Sequence, residues 1–235
     1  MSARVWAFVQ SKGGSGKSTL ATNIAVQAEA AGKPTLIVDL DQQSSAALWG
    51  RLRDTKRPTV FEGRPDKLPE IVASAKAQGV MLIIVDAPSK NDAVTLAAVR
   101  AADLVICPVM VDLFTLAGLQ DTARVIELAD KLEASVGVLN DLDESGVAVN
   151  IGEAEAVLKA IGMPACPVHL FHRPAYPLAI RKGLSVTELG DKEEKAAADE
   201  IRELWAFLDG GARQTPRPRS KAKAKSKPRR KEAAR

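Results

Sequence analysis

The sequence from residue 12 to residue 19 is Lys12-Gly13-Gly14-Ser15-Gly16-Lys17-Ser18-Thr19. It connects a short apolar run, Val5 to Val9, to a segment in which Leu20, Ile24 and Ala28 recur every four residues. The apolar run is typical of a buried parallel strand, and the four-residue spacing indicates an amphipathic helix. A strand, a glycine-rich turn and a helix N-terminus together form the setting in which backbone N–H groups bind a phosphate.

The chemistry of the side chains extends this interpretation. Glycines allow the backbone to turn tightly and to approach a phosphate closely. We expect Lys17 to reach the β- and γ-phosphates of ATP, the Ser18 hydroxyl to ligate Mg²⁺, and Thr19 to donate a further hydrogen bond to a phosphate. The predicted nucleotide-binding residues in this stretch are Gly13, Gly14, Ser15, Gly16, Lys17, Ser18 and Thr19.

Further apolar runs predict an α/β domain over residues 1–210, with a doubly wound, mostly parallel sheet flanked by helices. Strands are predicted at 35–39, 81–86, 104–108 and 136–140, with a weaker one at 166–170, and helices at 66–78, 91–101, 115–132, 150–161 and 187–208. Several strands end at a polar residue, namely Asp39, Asp86 and Asn140. Ligands bind at the carboxyl ends of strands in such sheets, so we expect these residues to converge on one site.

The glycine loop departs from the usual P-loop spacing, because Lys12 stands where the first glycine is expected. In this respect it resembles the deviant Walker A motif, K-G-G-x-G-K-[ST], of the ParA/MinD family of dimerising ATPases. The run 38–43, Val-Asp-Leu-Asp-Gln-Gln, is similar to the family's D-x-D-x-Q segment, and Asp86-Ala87-Pro88 is similar to its D-x-P Walker B end. The likeness extends over about residues 3 to 208.

The resemblance implies roles for individual residues. It implies that Lys12 crosses a dimer interface to the partner's phosphates, so that ATP binding produces a homodimer, and that Asp41 orients the attacking water. Asp86 would hold Mg²⁺ through water, with Asp39 as a more remote partner of the magnesium waters. Asn140 would read the adenine edge, although a turn asparagine is nearly as compatible with the sequence.

The resemblance also implies a DNA-binding surface in the C-terminal part of the domain, which here contains Arg173, Arg181, Lys182, Lys192 and Lys195. Interspersed acidic residues leave a solvated helix face as an equal alternative. Because the first predicted strand begins almost at residue 1, we expect the short type without an N-terminal helix-turn-helix. Such proteins use the nucleoid to position a cargo, which can be a plasmid, a chromosome or a protein assembly, and a cargo-side adaptor protein stimulates their ATPase.

The net charge of +4 averages two unlike parts of the chain. Residues 213–235 contain eleven basic residues and one acidic residue, whereas the remainder contains 22 basic and 28 acidic residues. No apolar residue larger than alanine follows residue 211, so a disordered basic tail is predicted for 211–235. The tail residues expected to contact the DNA backbone are Arg217, Arg219, Lys221, Lys223, Lys225, Lys227, Arg229 and Arg230.

Two other classes of protein share these motifs. A MinD-like regulator on the membrane surface would need an apolar C-terminal helix, which the tail does not provide. An iron protein of the same fold needs paired interface cysteines, for which Cys107 and Cys166 look unsuited, and metabolic ligases as a rule lack the lysine-first loop. With no signal peptide, no membrane span and no metal-type cysteine spacing, we expect a cytoplasmic, nucleoid-associated protein without integral membrane association.

Overall fold

The computed structural model describes residues 3–111, 113–144, 147–190 and 194–210, with only the backbone for 113–117 and 147–150. Within these ranges, six strands form one sheet in the order β3-β2-β4-β1-β5-β6, and every pairing is parallel. The strands are β1 Arg4–Phe8, β2 Thr35–Asp39, β3 Thr59–Glu62, β4 Leu82–Asp86, β5 Leu104–Met110 and β6 Ser135–Asn140. The doubly wound parallel sheet predicted from the sequence is confirmed.

Helices cover both faces of the sheet. They are α1 Lys17–Ala30, α2 Ser45–Leu52, α3 Leu68–Ala77, α4 Asp92–Ala101, α5 Leu113–Leu128, α6 Val147–Ala160, α7 Ala175–Arg181 and α8 Lys195–Gly210. Alternate residues of each strand point to opposite faces, so the sheet supplies two hydrophobic cores. Trp6 and Ile84 pack on the side of α1 and α8, whereas Val5 and Val85 pack on the opposite side.

The register brings the strand ends together. Asp39 at the end of β2 pairs with Asp86 at the end of β4, and Phe8 of β1 also pairs with Asp86. The glycine loop follows β1 directly, so it lies beside these two carboxylates. Because parallel strands share one carboxyl edge, two acidic residues 47 positions apart meet next to the loop.

The prediction of a strand at 166–170 was wrong. This segment makes two backbone contacts with β6, from Cys166 N–H to the Gly137 carbonyl (2.7 Å) and from Leu170 N–H to the Leu139 carbonyl (3.0 Å). Pro167 between them has no N–H to donate, so a continuous ladder does not form.

The sixth strand is instead β3, at the edge of the sheet. Its four residues follow Pro58 and are mostly exposed, with Phe61 49% exposed, so they lack the apolar run that marks a buried strand. Pairing with β2 creates this strand. Helices α2 and α7 were also missed, because eight and seven residues are too short to show a clear helical period.

The two cysteines are buried on opposite faces of the sheet, Cys107 in β5 and Cys166 beyond β6. Burial raises the pKa of Cys107 to about 12 and that of Cys166 to about 11. Both thiols therefore stay protonated near neutral pH and act as small core side chains.

Candidate nucleotide-binding site

The glycine loop leads into α1 through two glycines of left-handed conformation, Gly14 at φ +77° and Gly16 at φ +91°. Helix α1 begins without a side-chain cap and without an acidic residue in its first turn. An uncapped helix N-terminus carries a partial positive charge and directs its N–H groups outward, which suits an anionic ligand. The buried Ser15 hydroxyl has no hydrogen-bond partner among the described residues, so it too is left for a ligand.

Lys17 is the first residue of α1 and is 6% exposed. Its ammonium donates to the Lys12 carbonyl at 3.5 Å. Burial lowers the pKa of Lys17, while the nearby carboxylates of Asp86 and Asp41 act in the opposite direction. A charge-assisted hydrogen bond from this ammonium to a phosphate would be stronger than its long contact with the neutral carbonyl. Lys17 can therefore change partner when a phosphate binds.

Asp86 is completely buried, and neither of its carboxylate oxygens has a hydrogen-bond partner of good geometry among the described residues. Burial raises the pKa of Asp86 to about 7, opposed by the nearby Ser18 hydroxyl and by Lys17, while Asp39 acts in the same direction as burial. Burying an ionised carboxylate without a hydrogen bond or counter-ion costs free energy. A cation or a hydrogen-bond donor beside Asp86 would therefore stabilise the site.

The donor set fits Mg²⁺. Ser18 and Asp86, the two residues predicted to hold the ion, lie next to each other. No group of three or more His, Cys, Asp or Glu residues suited to a metal ion occurs in the part of the chain that the structure describes. A cation here would therefore take its other ligands from phosphate and water, which is the usual way in which Mg²⁺ is bound beside a nucleotide.

The residues after β2 are held by Asp39. Its buried carboxylate accepts hydrogen bonds from the N–H groups of Asp41 (3.0 Å) and Ala47 (2.9 Å), so it fixes the turn and caps α2. Burial raises the pKa of Asp39, and these two backbone donors oppose that shift. Asp41 accepts from the Gln43 N–H at 3.0 Å. The position of Asp41 is thus tied to that of α2.

Asn140, at the end of β6, lies against the glycine loop. Its side-chain amide donates to the Ser15 carbonyl at 2.9 Å. A Cβ atom at Gly16 would come within 2.3 Å of this amide nitrogen, so any larger residue would displace the Asn140 side chain from the loop, and the φ of +91° also favours glycine there. In this structure Asn140 therefore positions the loop.

A second polar network, which the sequence analysis missed, anchors the entrance to the loop. The buried Thr122 hydroxyl of α5 donates to the Gln10 side-chain oxygen at 2.7 Å and accepts from the Ser11 N–H at 3.0 Å. Gln10 also donates to the Pro108 carbonyl at 3.2 Å. These contacts join three distant parts of the chain, and no spacing in the sequence signals them.

A cavity of about 470 Å³ lies over the loop. Asp41 lines it together with residues that sequence reasoning did not identify, among them Ser45, Trp49 and Ile180. A larger cavity, about 630 Å³, opens between α3 and the first residues of β2 and β3, Thr35 and Thr59. It is at the opposite end of the strands from the glycine loop, whereas the 470 Å³ cavity is lined by the loop itself.

The structure separates the residues predicted to bind DNA. Arg181, Lys182 and Lys195 are exposed. The Arg173 guanidinium instead forms ion pairs with Glu144 (2.7 Å) and Glu200 (2.8 Å). These two carboxylates neutralise its charge within the domain. Lys192 and the tail residues from Arg217 to Arg230 lie outside the described residues.

No helix in the described ranges combines the length and the apolar character needed to cross a bilayer. The helix of highest amphipathic character, α8, buries Ile201, Leu204 and Leu208 in the core beside α1. Its apolar face is therefore used inside the domain.

Comparisons with known proteins agree with this geometry. Residues 6–165 match the model of the CobQ/CobB/MinD/ParA nucleotide binding domain. The chain is 31% identical over 211 residues to the maintenance of carboxysome distribution protein A of Gloeobacter kilaueensis, covering 88% of this chain and 94% of that protein. It is 26% identical over 181 residues to the chromosome-partitioning ATPase Soj of Thermus thermophilus, covering 65% and 71%.

Among solved structures, the ATP complex of a Cyanothece McdA variant superimposes with a TM-score of 0.68 at 15% identity. The superposition covers 88% of this chain and 96% of the other, and at this identity it supports the fold alone. The family model spans well over half of the chain and includes the loop, Asp41 and Asp86. The chain therefore belongs to the CobQ/CobB/MinD/ParA family of nucleotide-binding domains.

Proposed function

We propose that this chain is an ATPase that dimerises when it binds ATP, binds DNA non-specifically in that state, and positions a cargo over the nucleoid. The observation that carries the proposal is a cavity lined by the glycine loop from Gly13 to Thr19 and by the carboxylate of Asp41. Beside this loop is the buried carboxylate of Asp86, which has no hydrogen-bond partner of good geometry among the described residues. The relatives named for carboxysome distribution and for chromosome partitioning support the same class of function.

Each residue around the cavity has a separate role in binding or hydrolysing ATP. Lys17 and the N-terminus of α1 bind the phosphates, and Ser18 with Asp86 would hold Mg²⁺, which neutralises charge on the phosphates when it is bound. Asp41 lines the cavity at the end of a turn fixed by Asp39, so its carboxylate can accept a hydrogen bond from an attacking water. Asn140 holds the loop and, with nucleotide bound, is the candidate to contact adenine.

A protein assembly is the cargo that we propose first. The relative named for carboxysome distribution matches over 94% of its length, whereas the chromosome-partitioning relative matches over 71%. A plasmid or chromosome is the second candidate. In either case an adaptor protein on the cargo would stimulate hydrolysis and release the ATPase from DNA.

We expect Lys12→Ala to abolish ATP-dependent dimerisation. Two Lys12 side chains that reach the partner's phosphates would contribute on the order of a few kcal/mol together through charge-assisted contacts. Size-exclusion chromatography with multi-angle light scattering, in ATP and in ADP, measures the effect. Lys76→Ala is the matched control, because Lys76 is an exposed lysine near the end of α3 and does not line the cavity over the loop. A Lys12→Ala protein that still dimerises with ATP would contradict the assignment.

The test of DNA binding is retention on DNA with ATP compared with ADP over a series of salt concentrations. We expect stronger retention with ATP, and for six phosphate contacts a log–log salt slope of roughly −5. Deleting residues 213–235 removes eleven basic residues and should weaken binding and flatten the slope, while ATPase activity and dimerisation remain.

Two controls locate the DNA contact. A chain with Arg181→Gln and Lys182→Gln retains the tail and removes exposed charge from the folded domain. Unchanged affinity after tail deletion would assign the contact to the folded domain, whereas equal retention in ATP and ADP by the whole chain would refute nucleotide-controlled DNA binding.

A further inference from the structure

Helix α2 packs directly against the turn that follows α7. Gly183 in this turn has φ +65°, and a Cβ atom there would lie 2.5 Å from the backbone carbon of Leu52. Only glycine permits this approach of two backbones. The two residues before Gly183 are the exposed cations Arg181 and Lys182. We call residues 180–188 the basic turn segment.

Arg53, the residue after α2, ties the two elements together. Its side chain is 4% exposed, and its guanidinium lies 4.6 Å from the centroid of the Trp49 ring. It donates to the Gly183 carbonyl (2.9 Å) and makes two bonds to the Glu188 carboxylate (2.9 and 2.8 Å). The Trp49 indole N–H donates to the Leu184 carbonyl at 3.0 Å. A bidentate, largely buried guanidinium of this kind holds a defined geometry.

The other end of the basic turn segment is bound to α1, the helix that begins at the glycine loop. The buried Asn23 amide donates to the Thr19 carbonyl at 2.7 Å. Its oxygen accepts from the Ser185 hydroxyl (2.8 Å) and from the Val186 N–H (2.9 Å). Ser185 in turn donates its N–H to Glu188, the partner of Arg53. The segment is therefore held between the two helices that flank the nucleotide cavity.

Residues of both helices and of α7 also line the nucleotide cavity. Thr19, Trp49 and Ile180 all line the cavity, and Ile180 is adjacent in sequence to Arg181. Asp41 lines the same cavity, and its N–H shares the Asp39 carboxylate with the first turn of α2. A movement of Asp41 or of the Trp49 ring on nucleotide binding would consequently be carried by α2 to the basic turn segment.

We propose that Arg53 is a positioning residue that couples the nucleotide in the cavity to Arg181 and Lys182, so that ATP sets the arrangement in which these cations bind DNA. The coupling deepens the function proposed above and rests on its DNA-binding step. The contact between α2 and the basic turn segment would then transmit the nucleotide state to the DNA-binding cations. No motif in the sequence indicates this role.

The variant that tests the coupling is Arg53→Gln, with Arg51→Gln as its matched control. Arg51 lies two residues before Arg53, in the last turn of α2, and also pairs with a glutamate, Glu62, but that pair is exposed and away from the basic turn segment. DNA affinity is measured with ATP and with ADP, alongside ATP affinity and melting temperature. Couplings between sites typically change affinity by about 5- to 150-fold. We expect a ratio of ATP to ADP affinity in this range for the wild type and Arg51→Gln, and a ratio near one for Arg53→Gln.

Hydrogen exchange gives a readout that does not involve DNA. ATP should protect residues 180–188 in the wild type and in Arg51→Gln, and much less in Arg53→Gln. If Arg53→Gln fails to fold, Glu188→Gln is used instead, because it removes the charged partner of Arg53 while keeping the size of the side chain. We then expect Glu188→Gln to show an affinity ratio near one and weak ATP-dependent protection of residues 180–188.

The outcomes separate the coupling from the proposed function. An ATP-to-ADP affinity ratio that stays in the range of about 5- to 150-fold in Arg53→Gln, or the same exchange of residues 180–188 with and without ATP in the wild type, would overturn the coupling. ATP-dependent protection in the wild type that is lost in Arg53→Gln supports the coupling, even where DNA affinity shows no dependence on nucleotide. In that last case the DNA-binding step of the proposed function is refuted instead.

Discussion

Replacing Lys17 with alanine should abolish ATP binding at concentrations that saturate the wild type. Lys17 is a buried cation at the start of α1, and its ammonium donates a long hydrogen bond, 3.5 Å, to the Lys12 carbonyl. Hydrogen bonds to charged groups contribute about 1.5–3 kcal/mol, which corresponds to about 10- to 150-fold in affinity. The loss should be larger still, because the phosphates would then face the carboxylates of Asp86 and Asp41 without this opposing charge.

Isothermal titration calorimetry with a slowly hydrolysed ATP analogue measures the loss. Lys76→Ala is the control, because Lys76 is an exposed lysine near the end of α3. The melting temperature of the Lys17→Ala apoprotein should stay close to that of the wild type, since burial of this ammonium already disfavours its charged form. Retention of wild-type ATP affinity would show that the glycine loop is not the phosphate site.

Replacing Asp41 with alanine should leave ATP binding and dimerisation in place and remove hydrolysis. The N–H of residue 41, which binds the Asp39 carboxylate, is retained in alanine, so the turn keeps its anchor. What is lost is the carboxylate that lines the cavity. Removing a group that takes up a proton or orients water typically slows a reaction by about 10²- to 10⁴-fold. The ATP-bound dimer should then accumulate and remain on DNA.

Single-turnover hydrolysis and DNA retention in ATP together measure this effect. Asp41→Asn is the informative companion, because its side-chain oxygen can still accept from the Gln43 N–H, as the carboxylate does. If the negative charge matters, asparagine and alanine should be similarly slow. Turnover near the wild-type rate in the alanine variant would show that another group positions the water, whereas the same result in the asparagine variant alone would show that the negative charge is not required.

The sequence was most informative where residues act through their local backbone. The glycine loop needs two left-handed residues and an uncapped helix start, and both requirements are visible as glycines followed by Lys17. The strand ends that supply Asp39 and Asp86 were equally visible, because buried parallel strands are continuous apolar runs. These features predicted the fold and the centre of the candidate site.

The sequence was least informative where a contact joins distant segments. Edge strand β3 forms by pairing with β2, and Pro167 prevents the strand that apolar residues at 166–170 suggested. The walls of the cavity, Trp49 and Ile180, come from the two short helices that the helical period could not reveal. Ion pairing of Arg173 with Glu144 and Glu200 likewise depends on how the chain folds.

A lysine-first glycine loop between a strand and a helix was predictable from the residues alone, because glycine conformation and helix polarity are local properties. The packing of the chain places the Asp86 carboxylate where it has no hydrogen-bond partner of good geometry among the described residues. The same packing sets Asn140 against the loop and joins α2 to the basic turn segment through Arg53. Those facts depend on the parallel register of the sheet, which pairs Asp39 with Asp86, and on the packing of α2 against Gly183, which brings together residues 130 positions apart.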